Sequence, residues 1–116
     1  MSSTSPITTH ALDTRLGQPA AGLGVVLERA DADGTWKMLA VQSTNEGGRI
    51  GDLLPAGSLT AGHYRMTFDT GRYFQSQGVE HFYPRVSIEF EIRDPASHYH
   101  VPLVFSPFAY STYRGS

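Results

Sequence analysis

Arg85-Val-Ser-Ile-Glu-Phe-Glu-Ile-Arg93 alternates without a break, with Val86, Ile88, Phe90 and Ile92 on one face and Ser87, Glu89 and Glu91 on the other. A period of two is the pattern of a strand with one face in a core and the other in water. His63 to Asp69 repeats it, setting Tyr64, Met66 and Phe68 against His63, Arg65, Thr67 and Asp69, and Leu23–Asp31 and Trp36–Ser43 are weaker versions. Turn chemistry separates these runs. Asp31-Ala-Asp-Gly34 joins the two weaker ones as a hairpin, Glu46-Gly-Gly48 and Pro55-Ala-Gly57 mark loops, and Thr60-Ala-Gly62 opens the His63 strand. Only Thr70–Gly78 fails to alternate, and it reads as a short helix of two turns at most with Gly78 as its stop. About eight short strands at this spacing predict an all-β fold, an antiparallel β-sandwich with one short helix. The chain reads as a single domain over 1–116, with 1–6 as a flexible N-terminus.

A chain of 116 residues should bury roughly two-thirds of the surface its unfolded form exposes, enough for one core. With 40% hydrophobic residues, 17% charged residues and a formal charge of -2, it lacks the basic excess of a nucleic-acid binder. There is no cysteine, so disulfides and thiolate metal sites are excluded. Met1-Ser-Ser-Thr-Ser-Pro6 has neither the basic region nor the apolar run of a secretory signal, and the apolar runs elsewhere fall far short of a membrane span. The expectation is a cytoplasmic protein with neither nucleic acid nor membrane as partner.

The polar residues take on meaning once they are placed on strand faces. In His98–Phe105 the residues Tyr99, Val101, Leu103 and Phe105 share the core face, which leaves His98, His100 and Pro102 on the other. Pro102 has no amide hydrogen for a ladder, so the strand there is either an edge or locally irregular. In Ile7–Asp13, His10 shares a face with Thr8 and Leu12, and Arg49 follows the Gly47-Gly48 loop. Tyr110, Thr112, Arg114 and Ser116 share a face if a strand runs to the end. Two tyrosines in an alternating terminal segment predict an ordered end rather than a frayed tail.

Histidines at i and i+2 on one strand face lie about 7 Å apart, close enough for both to bind one ion. Against a metal site, the positions a few residues on are Val104 and Phe105, where a carboxylate ligand would be needed. The plain alternative is a pair of surface histidines on a solvated strand. No Gly-x-Ser-x-Gly elbow supports a serine hydrolase. His63 and His81 read as structural, one continuing an alternating strand and the other in a loop beside aromatic residues.

His10-Ala-Leu-Asp-Thr14, Phe82-Tyr-Pro-Arg-Val86, His98-Tyr-His-Val-Pro-Leu103 and the terminal Tyr113-Arg-Gly-Ser116 together resemble the 5-hydroxyisourate hydrolase family, the transthyretin-like enzymes of urate breakdown. The resemblance covers nearly the whole chain, and its C-terminal motifs are highly specific. It implies a prealbumin/transthyretin-like sandwich and a homotetramer with active sites where subunits meet. It also implies hydrolysis of 5-hydroxyisourate to 2-oxo-4-hydroxy-4-carboxy-5-ureidoimidazoline without metal or cofactor. By resemblance the catalytic residues are His10, Arg49, His100 and Ser116, and the substrate-binding residues are His10, Arg49, Tyr113, Arg114 and Ser116. The competing expectation is a transthyretin-like carrier of small ligands, because fold alone does not separate carrier from hydrolase.

Overall fold

The computed structural model describes residues 5–115. Its strands are β1 (Ile7–Asp13), β2 (Gln18–Pro19), β3 (Gly24–Ala30), β4 (Trp36–Ser43), β5 (Arg49–Ile50), β6 (Gly62–Phe68), β7 (Val86–Ile92), β8 (Tyr99–His100), β9 (Leu103–Phe105) and β10 (Tyr110–Thr112). The helix α1 covers Thr70–Gln75, and the Gly78 amide closes the turn after it on the Gln75 carbonyl. One sheet runs β10-β9-β1-β2, with β5 and β8 also paired to β1, and the other runs β4-β3-β6-β7.

The alternating runs behave as their period demands. Along β6, Tyr64, Met66 and Phe68 are buried, and along β7 the ends Val86 and Ile92 are buried while Ser87, Glu89 and Glu91 face water. The core between the sheets gathers Leu23, Val25 and Leu27 from one side and Ile7, Ala11, Leu103 and Phe105 from the other. The Asp31–Gly34 hairpin joins β3 to β4 as expected, with a bulge between Leu27 and Glu28.

Two features depart from the sequence expectation, and a third resolves an alternative it left open. Among the described residues ten strands form instead of about eight, because Gln18–Pro19 and Arg49–Ile50 each make a two-residue pairing with β1 and the His98–Phe105 run splits in two. The sheets are not wholly antiparallel, since β1 runs parallel to β8 and β9. A long intervening chain permits this, as parallel neighbours require a long connection. The segment carrying the histidines is irregular rather than an edge: it lies between β1 and the C-terminal strand β10. Pro102 explains the break, as it cannot donate to a ladder. The carbonyls freed there are taken by side chains, Thr9 Oγ1 donating to Val101 O at 2.6 Å and Thr112 Oγ1 to Pro102 O at 2.7 Å.

The N-terminal segment 1–6, expected to be flexible, is seated at its last two residues. Ser5 is buried and its hydroxyl accepts from the Leu54 amide at 3.0 Å, while the Pro6 carbonyl accepts from Tyr99 N at 2.8 Å. Residues 1–4 lie outside the described residues. No helix among the described residues is long and apolar enough to cross a membrane.

Candidate active site

β1 is the axis of the site. Its odd-numbered residues Ile7, Thr9, Ala11 and Asp13 are buried, which turns Thr8, His10 and Leu12 to the outer face of the sheet, each half-buried. Register then sets their neighbours: His10 pairs with Arg49 on β5, and Thr8 with His100 on β8. Residues opposite one another on paired strands hold their side chains within contact range on one face. Two residues far apart in sequence, Arg49 and His100, are therefore delivered to one strand face beside His10.

The delivery of Arg49 has a local cause. Asn45 Oδ1 accepts from the amides of Gly47 and Arg49 at 2.9 and 3.0 Å, folding the turn that leads into β5. Gly48 adopts φ 74°, and a Cβ there would lie 2.5 Å from the Ala11 carbonyl oxygen. Only glycine permits this approach of β5 to β1.

Around these residues lies an open cleft of about 330 Å³ lined by Thr8, Thr9, Arg49, Ile50, Gly51, His98 and His100. Thr8 Oγ1 sits 2.8 Å from His100 Nδ1 and 3.3 Å from His98 Nε2. His100 is half-buried and His98 exposed. Burial holds the His100 imidazole below the ordinary histidine range, and the nearby charges of His10, His98 and Arg49 push it the same way. Both effects favour the neutral imidazole, the form able to take a proton.

The terminal motif reaches the same imidazole from the other side. Gly115 forms an antiparallel bridge to His100, its amide donating to the His100 carbonyl at 2.8 Å. A Cβ at Gly115 would stand 2.5 Å from His100 Cδ2 and 3.1 Å from its Cβ and Cγ, so the absence of a side chain is what lets the tail lie against the ring. Gly115→Ala is expected to displace the imidazole. It should lower kcat by roughly tenfold or more, since small misplacements of a reacting group carry large kinetic costs, while the melting temperature moves by only a few degrees. An unchanged kcat in a steady-state assay would remove Gly115 from this role.

Two of the other expected site residues lie elsewhere in the protomer. Tyr113 and Arg114 line a separate cavity of about 250 Å³ with Ile88, Phe90, Tyr99 and Val101, and the Arg114 guanidinium stacks 4.5 Å over the Tyr99 ring. Ser116 lies outside the described residues. His63 bonds Glu89 at 2.7 Å on the outer face of the second sheet, and His81 stacks on Phe74 near α1. Two larger depressions, of about 500 and 540 Å³, flank α1 and that second sheet. They contain arginines and Asp69 but no histidine, so they lack a base suited to neutral pH.

Thr8 was not singled out by the sequence as more than a companion of His10. Its two-residue offset on an outward strand face was the available signal, but its contacts with residues some ninety positions away required the fold.

Fold and cleft together define a sandwich protein of the prealbumin kind whose outer sheet face carries a cationic, histidine-rich cleft. The model of the HIUase/Transthyretin family matches residues 7–115, and the chain belongs to that family. It is similar to the 5-hydroxyisourate hydrolase of Mus musculus, 45% identical over 97% of this chain and 96% of that protein. It is also similar to that of Salmonella dublin, 44% identical over 95% of this chain and 80% of that one. Among solved structures, Klebsiella pneumoniae 5-hydroxyisourate hydrolase aligns with TM-score 0.82 and 38% identity, covering 99% of this chain and 100% of that chain. Transthyretin from Sparus aurata aligns with TM-score 0.90 and 32% identity, covering 95% and 96%.

Proposed function

We propose that this protein hydrolyses 5-hydroxyisourate to 2-oxo-4-hydroxy-4-carboxy-5-ureidoimidazoline, as the names of its similar relatives and its cleft chemistry indicate. The observation that carries the reading is the convergence of His10, Arg49 and His100 on one outward strand face. Opening a cyclic amide requires a deprotonated water, a charge to meet the developing oxyanion, and a grip on a planar polar ring. His100, neutral and half-buried, suits the first task. Arg49 suits the other two, because a guanidinium is permanently charged and presents a planar fork of donors. His10, beside both, positions the water or protonates the leaving nitrogen.

In the balanced step, His100 accepts one proton of the water while the water oxygen bonds the ring carbonyl carbon and the carbonyl electrons move onto oxygen, held by Arg49. Collapse breaks the carbon–nitrogen bond, and an imidazolium returns the proton to the leaving nitrogen. The tail supports this arrangement: Arg114 anchors on Tyr99 in a cavity that the exposed Tyr113 also lines, and Gly115 braces His100. Ser116, the residue after Gly115, acts by its hydroxyl on the water or on a histidine. Deleting Ser116 alone should lower kcat without lowering thermal stability, and equal losses would assign it to packing.

The cleft is open on one protomer, and Leu16, Phe108, Tyr110 and Tyr113 are large hydrophobic residues left exposed. A homotetramer that closes the cleft between subunits accounts for both. Sedimentation equilibrium should return the mass of four chains, and a monomer at micromolar concentration would contradict the assembly.

Carrier function is the second reading, supported by the close backbone match to transthyretin. The polar set argues against it, because an apolar aromatic ligand has no use for two histidines and an unshielded arginine in one cleft. The functional test is turnover: substrate generated in place by urate oxidase should lose its ultraviolet absorbance many equivalents faster with a catalytic amount of this protein. Stoichiometric protection of the compound without acceleration would make it a carrier.

A further inference from the structure

We propose that Thr8 is a positioning residue that fixes the tautomer of His100, using the exposed His98 as the acceptor of its own hydroxyl proton. The inference rests on the hydrolase reading for its kinetic consequence and on geometry for everything else. A neutral imidazole is a donor at one nitrogen and an acceptor at the other, and only the nitrogen without hydrogen can take a proton from water. The tautomer is set by the hydrogen bond the remote nitrogen makes.

At His100 the remote nitrogen is Nδ1, 2.8 Å from Thr8 Oγ1. A hydroxyl has one proton to give, and His98 Nε2 lies 3.3 Å from the same oxygen. With the Thr8 proton directed to His98, the lone pairs that face His100 require an N–H from it. The chain of bonds then runs from His100 Nδ1–H to Thr8 and from Thr8 O–H to His98 Nε2. His100 Nε2 is then the nitrogen without a hydrogen, and the residue lines a cleft that Arg49 also lines. The cationic guanidinium favours a lone pair there over a second N–H. The reverse chain would put an N–H at Nε2 beside that charge and would disarm the base.

Local structure supports a constructed contact. Thr8 and His100 are register partners across the parallel β1–β8 pair, and Gly115 closes on the far side of the ring, so the imidazole is confined between the hydroxyl and the tail. The role resembles that of any third group that orients a histidine base, except that here a neutral hydroxyl does the work of a carboxylate.

The test uses protein labelled with ¹⁵N-histidine and a two-bond ¹H–¹⁵N correlation spectrum recorded at neutral pH without substrate. Wild-type His100 should show a protonated Nδ1 and an unprotonated Nε2. Thr8→Val, nearly isosteric, should shift the population toward Nε2–H and lower kcat roughly tenfold to hundredfold with KM within about twofold. Thr8→Ser, which restores the hydroxyl, should recover both the spectrum and the rate. A wild-type His100 protonated at Nε2, or an unchanged tautomer in Thr8→Val, overturns the proposal. The spectrum needs no turnover, so failure of the hydrolase reading and failure of this one are separately visible.

Discussion

His100→Ala is expected to lower turnover of 5-hydroxyisourate by about 10²- to 10⁴-fold, the usual cost of removing a general base. The size of the effect follows from the side chain's surroundings. It is the half-buried imidazole of the cleft, its ionisation lowered by desolvation first and then by its neighbours His10, His98 and Arg49. It is touched from one side by Thr8 and from the other by Gly115. Stability should change little, because the backbone bond from Gly115 to the His100 carbonyl survives and the lost side chain is not in the core. The comparison of kcat with thermal melting by circular dichroism checks this. A variant with wild-type kcat would remove His100 from the mechanism, and one that unfolds would make it structural.

Arg49→Gln carries the second large effect, about 10²- to 10³-fold in kcat from loss of an oxyanion donor. Among the described residues no carboxylate pairs with Arg49. Its exposed charge is therefore available to a ligand, and its loss should leave the fold unaffected. The substitution has a second signature in the pH profile. Arg49 is one of the charges that lower the His100 ionisation, so removing it lets that ionisation rise. The base works only when unprotonated, and activity is lost as pH falls through its ionisation. The acid limb of kcat/KM should therefore lie below the ordinary histidine range in the wild type and move to higher pH in Arg49→Gln. A limb that stays in place, or moves down, would show that the guanidinium does not act on His100.

The long strands were legible because alternation has one physical meaning when one face is buried, and Val86–Ile92 and Gly62–Phe68 obey it residue by residue. The outward direction of His10 and His100 followed from the same rule. Pairing was not legible. A two-residue strand such as Arg49–Ile50 carries no period, and its position across from His10 depends on the Asn45 turn and on the space above Ala11 that Gly48 leaves free. The break at Pro102 was half legible, since proline announces a missing donor but not that threonines on two flanking strands will cap the carbonyls.

Motif residues also divide by role only in three dimensions. In His10-Ala-Leu-Asp-Thr14 the histidine lies on the outer face of β1 across from Arg49, but Asp13 is fully buried. It accepts from the Tyr73 hydroxyl at 2.8 Å and from the Arg15 amide at 2.9 Å. The Thr14 hydroxyl donates to Phe105 O at 2.9 Å. One end of the motif belongs to the site and the other locks β1 to the strands and helix around it. In Tyr113-Arg-Gly-Ser116, likewise, the residue without a side chain makes the closest approach to the imidazole.

The central claim is that one strand face, bearing His10, Arg49 and His100, is the catalytic centre. Its most direct test is the rate of 5-hydroxyisourate decay, with substrate generated in place, measured for the wild type and for the combined His10→Ala/Arg49→Ala/His100→Ala variant at equal folded concentration. Rapid catalytic decay is expected with the first and the spontaneous rate with the second. Decay accelerated equally by both proteins would contradict it.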